Sequence, residues 1–476
     1  MKSKLIKILS IAVISLGLFS SCEENTSSTT APTTDDITFF SVNDVHGSIE
    51  EYTSSSSSSY QAGMSKLNTA ITTDPDYNSN SVLLSAGDMF QGSALSNLTN
   101  GLAMVDIMND MKFDAMAIGN HDFDWGVETL KNMQKAAEFP FLGINVNYKD
   151  TGARVDFAVP STTFDKNGIK VGVIGSIYST AASAISASKI TNIQFVYEAT
   201  MVKNEAKRLK QVEKCDIVIF ETHSGMSSTI DGVLSDENVD GCFGGHTHVI
   251  NNAKVGNKYF LCGSSNTKSY QKMKFTRVNN KYKVESSNNA ICYQISNKNT
   301  YQATPSIDKI ITSARAKIGP KLSEVLSTAT DNFNSSQTGK FVCSALLDYA
   351  KSNNVNAVAS FHNSSGIRDK IYKGNITLES IYKISPFDNE VKVIKMKRSS
   401  ILSNKTGLYH VIDEEAITDE DATYEVVVFD FLLTNFNIFN PYSDTQYNIK
   451  DEVKVVRDTI VDYAKKSTSF SPSSYN

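Results

Sequence analysis

The chain has 476 residues, 40% of them hydrophobic and 20% charged, and a formal net charge of −5. That length supports two or three domains with full cores, and the composition is ordinary for a globular protein. The mildly acidic balance and the absence of a basic run beyond the N-terminal leader exclude a nucleic-acid polymer as an expected partner, and nothing implies a protein partner.

Lys2, Lys4 and Lys7 precede an apolar stretch at residues 8–19, which leads into Ser20, Ser21 and Cys22. Positive charge, then an apolar run, then small residues is the pattern of an export signal, and the run is short for a bilayer span. Residues 1–22 resemble a bacterial lipoprotein signal peptide, in which Cys22 becomes the lipidated N-terminus. The implied location is exported, periplasmic or at the cell surface, with a lipid anchor in the membrane; plain secretion with Cys22 removed or free is the alternative. Residues 23–36, rich in Ser, Thr, Glu and Asp, read as a flexible tether. Of the remaining cysteines, Cys215, Cys242, Cys262, Cys292 and Cys343 have no zinc-module spacing, and most lie in apolar runs, so they read mainly as core residues.

From residue 37 the chain alternates apolar strand-like runs with helical patterns, the signature of an α/β fold. Strands are expected at 37–42, 82–85, 113–118, 170–174 and 216–220, and helices at 63–71, 102–111, 127–138 and 197–212. Residues 254–295 read as short strands with turns. A serine run at 54–59 reads as a surface loop. Pro305, Gly319 and Pro320 punctuate a helical linker at 301–325, which separates a first domain at 37–300 from a second at 326–466. In the second domain a helix is expected at 339–351 and strands at 357–361, 391–396 and 424–431. The polar tail, 467–476, is expected to be disordered.

Polar loops that follow apolar runs carry the chemistry. Asp44 and His46 stand two apart, so at a strand end they face one side. Asp88 ends the next run. Asn120, His121, Asp122 and Asp124 crowd between a strand and a helix, where α/β proteins place ligands. His223 follows a third run, and His246 and His248 a fourth. A single histidine in such a position is more often a hydrogen-bonded core residue than a ligand, and a helix cap uses Asn and Asp too. Five histidines at successive strand ends, with Asp44 and Asp88 beside them, are hard to explain as packing, because burying that many titratable groups without a partner costs several kcal/mol each, roughly. Imidazole and carboxylate are metal ligands, and the inventory suits two ions of the kind that serve phosphate-ester hydrolysis.

The motifs Asn43-Asp44-Val45-His46-Gly47, Gly87-Asp88, Gly119-Asn120-His121-Asp122, Thr222-His223 and Gly244-Gly245-His246-Thr247-His248 resemble, as a set, those of the calcineurin-like metallophosphoesterases, and residues 119–126 resemble the 5′-nucleotidase branch in particular. The resemblance implies a layered α/β/β/α sandwich for the first domain and a C-terminal α/β substrate-binding domain. It implies that Asp44, His46 and His248 hold one divalent ion, that Asn120, His223 and His246 hold the other, and that Asp88 bridges them. Zn, Mn, Co and Fe all suit these ligands. His121, oriented by Asp124, would lie over the phosphate. Asp122 stands where the family carries Glu.

In the second domain, Asn363-Ser364-Ser365-Gly366-Ile367-Arg368 resembles the family's Asn-x-Gly-Gly-Ile-Arg loop, with Ser365 in place of a glycine, and Pro386-Phe387-Asp388-Asn389 matches its Pro-Phe-x-Asn loop. The implied substrate-binding residues are Asn363, Gly366, Arg368, Phe387, Asn389, Phe431 and Asn437, with Phe387 and Phe431 stacking on a base. The family's Gly-Gly-Asp-Gly segment is absent: Asn437 stands in place of its Asp, and Phe436 and Ile438 flank it. The function implied is phosphate release from nucleoside monophosphates or related nucleotides. The alternatives are a 2′,3′-cyclic-nucleotide phosphodiesterase or another phosphoesterase of the same fold and, from a different class, a surface binding protein with a vestigial site.

Overall fold

The computed structural model describes residues 36–53, 60–403, 405–450 and 453–476. The signal peptide, Cys22, the tether up to residue 35 and the serine run lie outside the described residues. Among the described residues no helix is long and apolar enough to cross a membrane.

Period-two alternation sets the layering of the first domain. In the strand Asp36–Val42, Ile37 and Phe39 join a core shared by two sheets, while Phe40 and Val42 join the core under the helices. Asp36–Val42, Val82–Ser85, Ala115–Ala117 and Phe141–Leu142 pair in parallel, with Ser269–Val278 antiparallel along the other side of Asp36–Val42. In the second sheet Ile169–Ile177, Ile217–His223, Gly241–Gly244 and Lys258–Cys262 are parallel. Ile37, Phe39, Val82 and Leu84 of one sheet share a core with Val171, Val173, Ile217 and Ile219 of the other. The helices Gly63–Thr72, Leu102–Asp110 and Val127–Ala136 cover the first sheet, and Ala199–Gln211 and Ser228–Leu234 the second. The result is an α/β/β/α sandwich in which the carboxyl ends of the parallel strands from both sheets converge.

The helix Pro305–Leu322, with Pro305 in its first turn, leads into the second domain. There the strands Val391–Lys397, Thr423–Phe429, Ala357–Asn363 and Leu408–Ile412 form one sheet. The helix Ser335–Ser352 packs on it, started by a reciprocal capping box between Asn334 and Gln337. The helix Val456–Ala464 lies against that helix in turn. All five described cysteines, Cys215, Cys242, Cys262, Cys292 and Cys343, are free thiols, and all but Cys292 are buried.

The two domains meet through a small apolar cluster of Ala94, Leu322, Leu378 and Tyr382 and through polar contacts. Arg315 of the connecting helix grips Glu50 of the first domain at 2.6 and 2.8 Å and Glu379 of the second at 2.8 and 3.1 Å. The buried Asn97 amide donates to the Pro386 carbonyl at 2.8 Å.

The tail is not disordered. Ser469–Phe470 adds a parallel strand to Val325–Ala329, and the Phe470 and Tyr475 rings pack on Phe341 at 5.1 and 5.4 Å. Its many serines suggested disorder, but its two aromatics bury enough surface to order it. A chain ended after Lys466 is expected to lose about 3 kcal/mol or more of stability through this unfilled aromatic site, read as a lower urea midpoint; an unchanged midpoint would mean that the tail contributes nothing.

Candidate metal centre

Three of the loops leave their strands through strained turns. Asp44, His46, Asp88, His246 and His248 have φ of 50°, 49°, 55°, 73° and 59°, a left-handed conformation that costs a non-glycine residue on the order of 1–3 kcal/mol. Backbone hydrogen bonds from Asp44 N to Gly87 O and from His46 N to Asp88 O lace the first two loops together at 3.0 and 2.9 Å. Gly87 is required at their crossing: a Cβ there would lie 2.6 Å from Gly119 N and 2.9 Å from His223 Nδ1.

The side chains present acceptors to one another. His223 Nδ1–H donates to the Ala86 carbonyl at 2.7 Å, which turns Nε2 toward Asn120 Oδ1 and Asp88 Oδ2, both at 3.1 Å. His246 Nδ1 lies 3.1 Å from the same Asn120 oxygen. His46 Nε2 and His248 Nε2 are 2.9 Å apart, and His248 Nε2 is 3.4 Å from Asp44 Oδ1. Asp88 Oδ1 accepts from His121 N at 2.7 Å, while its buried Oδ2 makes no aligned hydrogen bond. Facing lone pairs at these distances repel unless a proton or a cation lies between them. Two groups, Asp44–His46–His248 and Asp44–Asp88–His223, have ligand atoms within 4.8 Å of one another. The donor set therefore fits divalent cations. All the residues expected to be ligands meet here: Asp44, His46, Asp88, Asn120, His223, His246 and His248.

Electrostatics agrees. Burial drives His46 down to about 3 and His246 down to about 4, leaving neutral imidazoles. Burial also opposes charge on His223, yet Asp88 and Asp44 outweigh it and hold this ring up to about 9. Asp88 is kept well below the usual carboxylate range against its burial, mainly by His223. In the metal-free protein the His223 proton thus stands where a cation would.

His121 lies beside this cluster. Its Nδ1–H donates to Asp124 Oδ2 at 2.8 Å, leaving Nε2 free, and Asp124 and Asp88 raise its pKa against its burial. The His121 ring lies 5.3 Å from the Phe387 ring of the second domain, and the Arg368 guanidinium 5.7 Å from Phe387. A cavity of about 150 Å³ opens between the domains, lined by Asn120, His121, Asp124 and His246 on one side and by Asn363, Gly366, Arg368, Phe387, Asn389 and Phe431 on the other. The Ser365 hydroxyl, where the resemblance implies glycine, accepts from Asn363 Nδ2 at 2.9 Å, while the Asn363 Oδ1 is buried without a partner.

Comparison with known proteins agrees with this geometry. Residues 37–250 match the calcineurin-like phosphoesterase family, and residues 311–403 match the 5′-nucleotidase C-terminal domain. The chain belongs to the calcineurin-like phosphoesterases and carries a 5′-nucleotidase C-terminal domain. Protein UshA of Yersinia enterocolitica is 27% identical over 67% of this chain and 66% of its own length. The human 5′-nucleotidase is 25% identical over 77% of this chain and 70% of its own. The chain thus spans about two thirds of the curated relatives it matches. The 5′-nucleotidase precursor of Thermus thermophilus shares the fold, with a TM-score of 0.76 at 18% identity over 91% of this chain and 97% of that one.

Two expectations for the second domain of this phosphoesterase need correction. The strand Thr423–Phe429 stops short, and Phe431 sits in the first turn of the helix Asp430–Asn435. The Asp430 carboxylate accepts from Glu390 N and Phe431 N at the point where the strand gives way to the helix. Asn437 is exposed and does not line the cavity. Without the family's glycines the segment turns outward, and Phe436 packs on the domain core.

Two supporting residues are visible only in the structure. Tyr178, one residue past the strand Ile169–Ile177, lays its ring on His246 at 4.4 Å; its place at a strand end was the available signal. Asp122 is more than a departure from the family pattern. It accepts from Gly119 N, Asp88 N and Met89 N at 2.8, 3.1 and 3.0 Å and clamps two metal loops together. Burial and the Asp88 charge push its carboxyl up to about 7.

Asp122→Ala leaves these three buried N–H groups unsatisfied and is expected to cost about 3 kcal/mol or more and to lower metal content, checked by denaturant unfolding and elemental analysis. Metal uptake is expected to release protons at pH 7.5, with affinity rising toward pH 9, because a cation must displace the His223 proton held up to about 9. The sign for the metal-free protein follows: the stability due to His223 is complete below about 6.5 and lost as pH rises through about 9. Calorimetry in buffers of different ionisation enthalpy counts the protons; uptake without release would contradict this protonation state.

Proposed function

We propose that this protein is an exported two-metal 5′-nucleotidase that releases phosphate from nucleoside monophosphates. The observation that carries the reading is the cavity between the domains, which brings His121, Asn120 and His246 of the first domain into one space with Phe387 and Phe431 of the second. Asp44, His46 and His248 would hold one divalent ion, and Asn120, His223 and His246 the second, with Asp88 between. When bound, such ions neutralise charge on the phosphoryl oxygens and lower the pKa of the attacking water.

The chain's own residues do the rest. The Asp124 carboxylate fixes the His121 tautomer, so that Nε2 faces the substrate. Its raised pKa suits it to stabilise charge on the departing 5′ oxygen or to give it a proton. Arg368 meets the phosphate from the second domain. Phe387 and Phe431 sandwich the base, and Asn363 offers its unpartnered Oδ1 to a donor on the nucleoside. The N-terminal signal supports export and lipidation at Cys22, which would tether the enzyme to a membrane.

A second cavity, of about 640 Å³, reaches the centre from the His46 side and shares Arg368. It favours phosphodiesters or phosphoanhydrides as additional substrates, because these carry a second substituent on phosphorus.

Metal-reconstituted protein assayed on nucleoside monophosphates, 2′,3′-cyclic nucleotides, phosphoanhydrides and a simple aryl phosphate tests the reading; hydrolysis of the aryl phosphate alone would overturn it. Asp88→Asn is expected to abolish activity and weaken binding of both ions, seen by elemental analysis. His121→Ala is expected to keep the metals and lower kcat about 10²–10⁴-fold. Phe431→Ala is expected to raise KM for a nucleoside monophosphate roughly tenfold, from the loss of one stacking contact, with little change for the aryl phosphate. Equal effects on both substrates would show that the second domain does not read the base.

A further inference from the structure

The nucleoside cavity has a wall that the second domain does not supply. Ala184, Ser186 and Lys189 of the first domain line it, from the loop that follows the strand Ile169–Ile177. Ser186 Oγ donates to Asp430 Oδ2 at 2.5 Å, and the other Asp430 oxygen accepts from Phe431 N at 2.9 Å. This chain of contacts seats the turn Ala187–Lys189 against the helix that carries Phe431. Lys189 therefore lines the cavity from a turn packed against the helix that carries Phe431. The carboxylates bordering the cavity are already engaged, Asp124 with His121 and Asp388 with Arg457. Among the described residues no side chain or carbonyl pairs with the Lys189 ammonium, although the residue is half-buried.

An ammonium group has three donors and no acceptor. Beside a stacked base it donates a charge-assisted hydrogen bond to a ring carbonyl and is repelled by an exocyclic amino group, which presents donors of its own. The same contact therefore attracts one class of base and rejects the other. We propose that Lys189 is a specificity-determining residue that selects nucleotides with a carbonyl oxygen at the base edge over those with an amino group there. This rests on the nucleotidase reading and goes beyond it by naming the base class. The loop after Ile169–Ile177 then serves the site twice, with Tyr178 at its start supporting His246 and Lys189 near its end reading the substrate.

Inosine and adenosine monophosphates are the test pair, since they share sugar, phosphate and purine skeleton and differ in carbonyl against amino at one ring position, with N–H against bare nitrogen beside it. Wild-type, metal-loaded enzyme is expected to favour the inosine nucleotide in kcat/KM by about tenfold, the worth of one charge-assisted hydrogen bond. Lys189→Met is expected to bring that ratio close to one, and Lys189→Arg to retain the preference. Inhibition of aryl phosphate hydrolysis by free inosine and adenosine should show the same order and the same loss in Lys189→Met, so the result does not depend on nucleotide turnover. A wild-type preference for the amino base, or a ratio unmoved by Lys189→Met, overturns the role of Lys189 and leaves the nucleotidase reading standing. Turnover of the aryl phosphate with neither nucleotide cleaved overturns both.

Discussion

Acceptor atoms crowded together with too few donors govern this structure. Asp44, Asp88, Asn120 and four imidazoles point oxygen and nitrogen lone pairs at one another across about 3 Å, most of them buried. In an apolar interior such an arrangement is costly unless positive charge is placed within it. Left-handed backbone at five of these positions adds strain. The sandwich core, the Asp122 clamp and the backbone lacing between loops hold the cluster against both costs. The proton on His223 is what the metal-free protein uses in place of a cation.

The centre alone does not make a substrate site. The cavity beside it exists because the second domain sets Phe387 against His121 and Arg368 over the same ring. Arg315, Asn97 and Ser186 tie the domains by hydrogen bonds, beside a small apolar cluster in which Ala94 meets Leu322, Leu378 and Tyr382. Polar ties of this kind specify geometry while contributing modest net energy, since both partners are well solvated when apart.

Much of the metal centre was legible in the primary sequence because its geometry is local. A parallel strand ends in a loop, and a histidine or aspartate one to three residues on stands at the same edge whatever the rest of the chain does. Hence the five histidines could be named together with Asp44, Asp88 and Asn120, while the division into ligands and the pairing of His121 with Asp124 came from the resemblance to the family. The expected strands and helices of the first domain fall within a few residues of those observed, since apolar periodicity reports burial directly. The role of Asp122 was hidden because it is set by three N–H groups from two different loops, which no spacing reveals.

The residues themselves determined the ligand chemistry, the alternation of strand and helix, and the division into two domains, because each follows from side-chain type and short-range period. Only the tertiary structure decided that Phe431 belongs to a helix turn rather than a strand end, that Asn437 faces solvent, that the serine-rich tail is ordered by Phe470 and Tyr475, and that Lys189 reaches the nucleoside cavity. Partners far away in sequence take part: Glu390 for the Asp430 carboxylate, Phe341 for the tail, and Asp430 for the loop that carries Lys189. Long-range contacts of this kind are decided by which surfaces meet after the chain has folded, and local pattern carries no record of them.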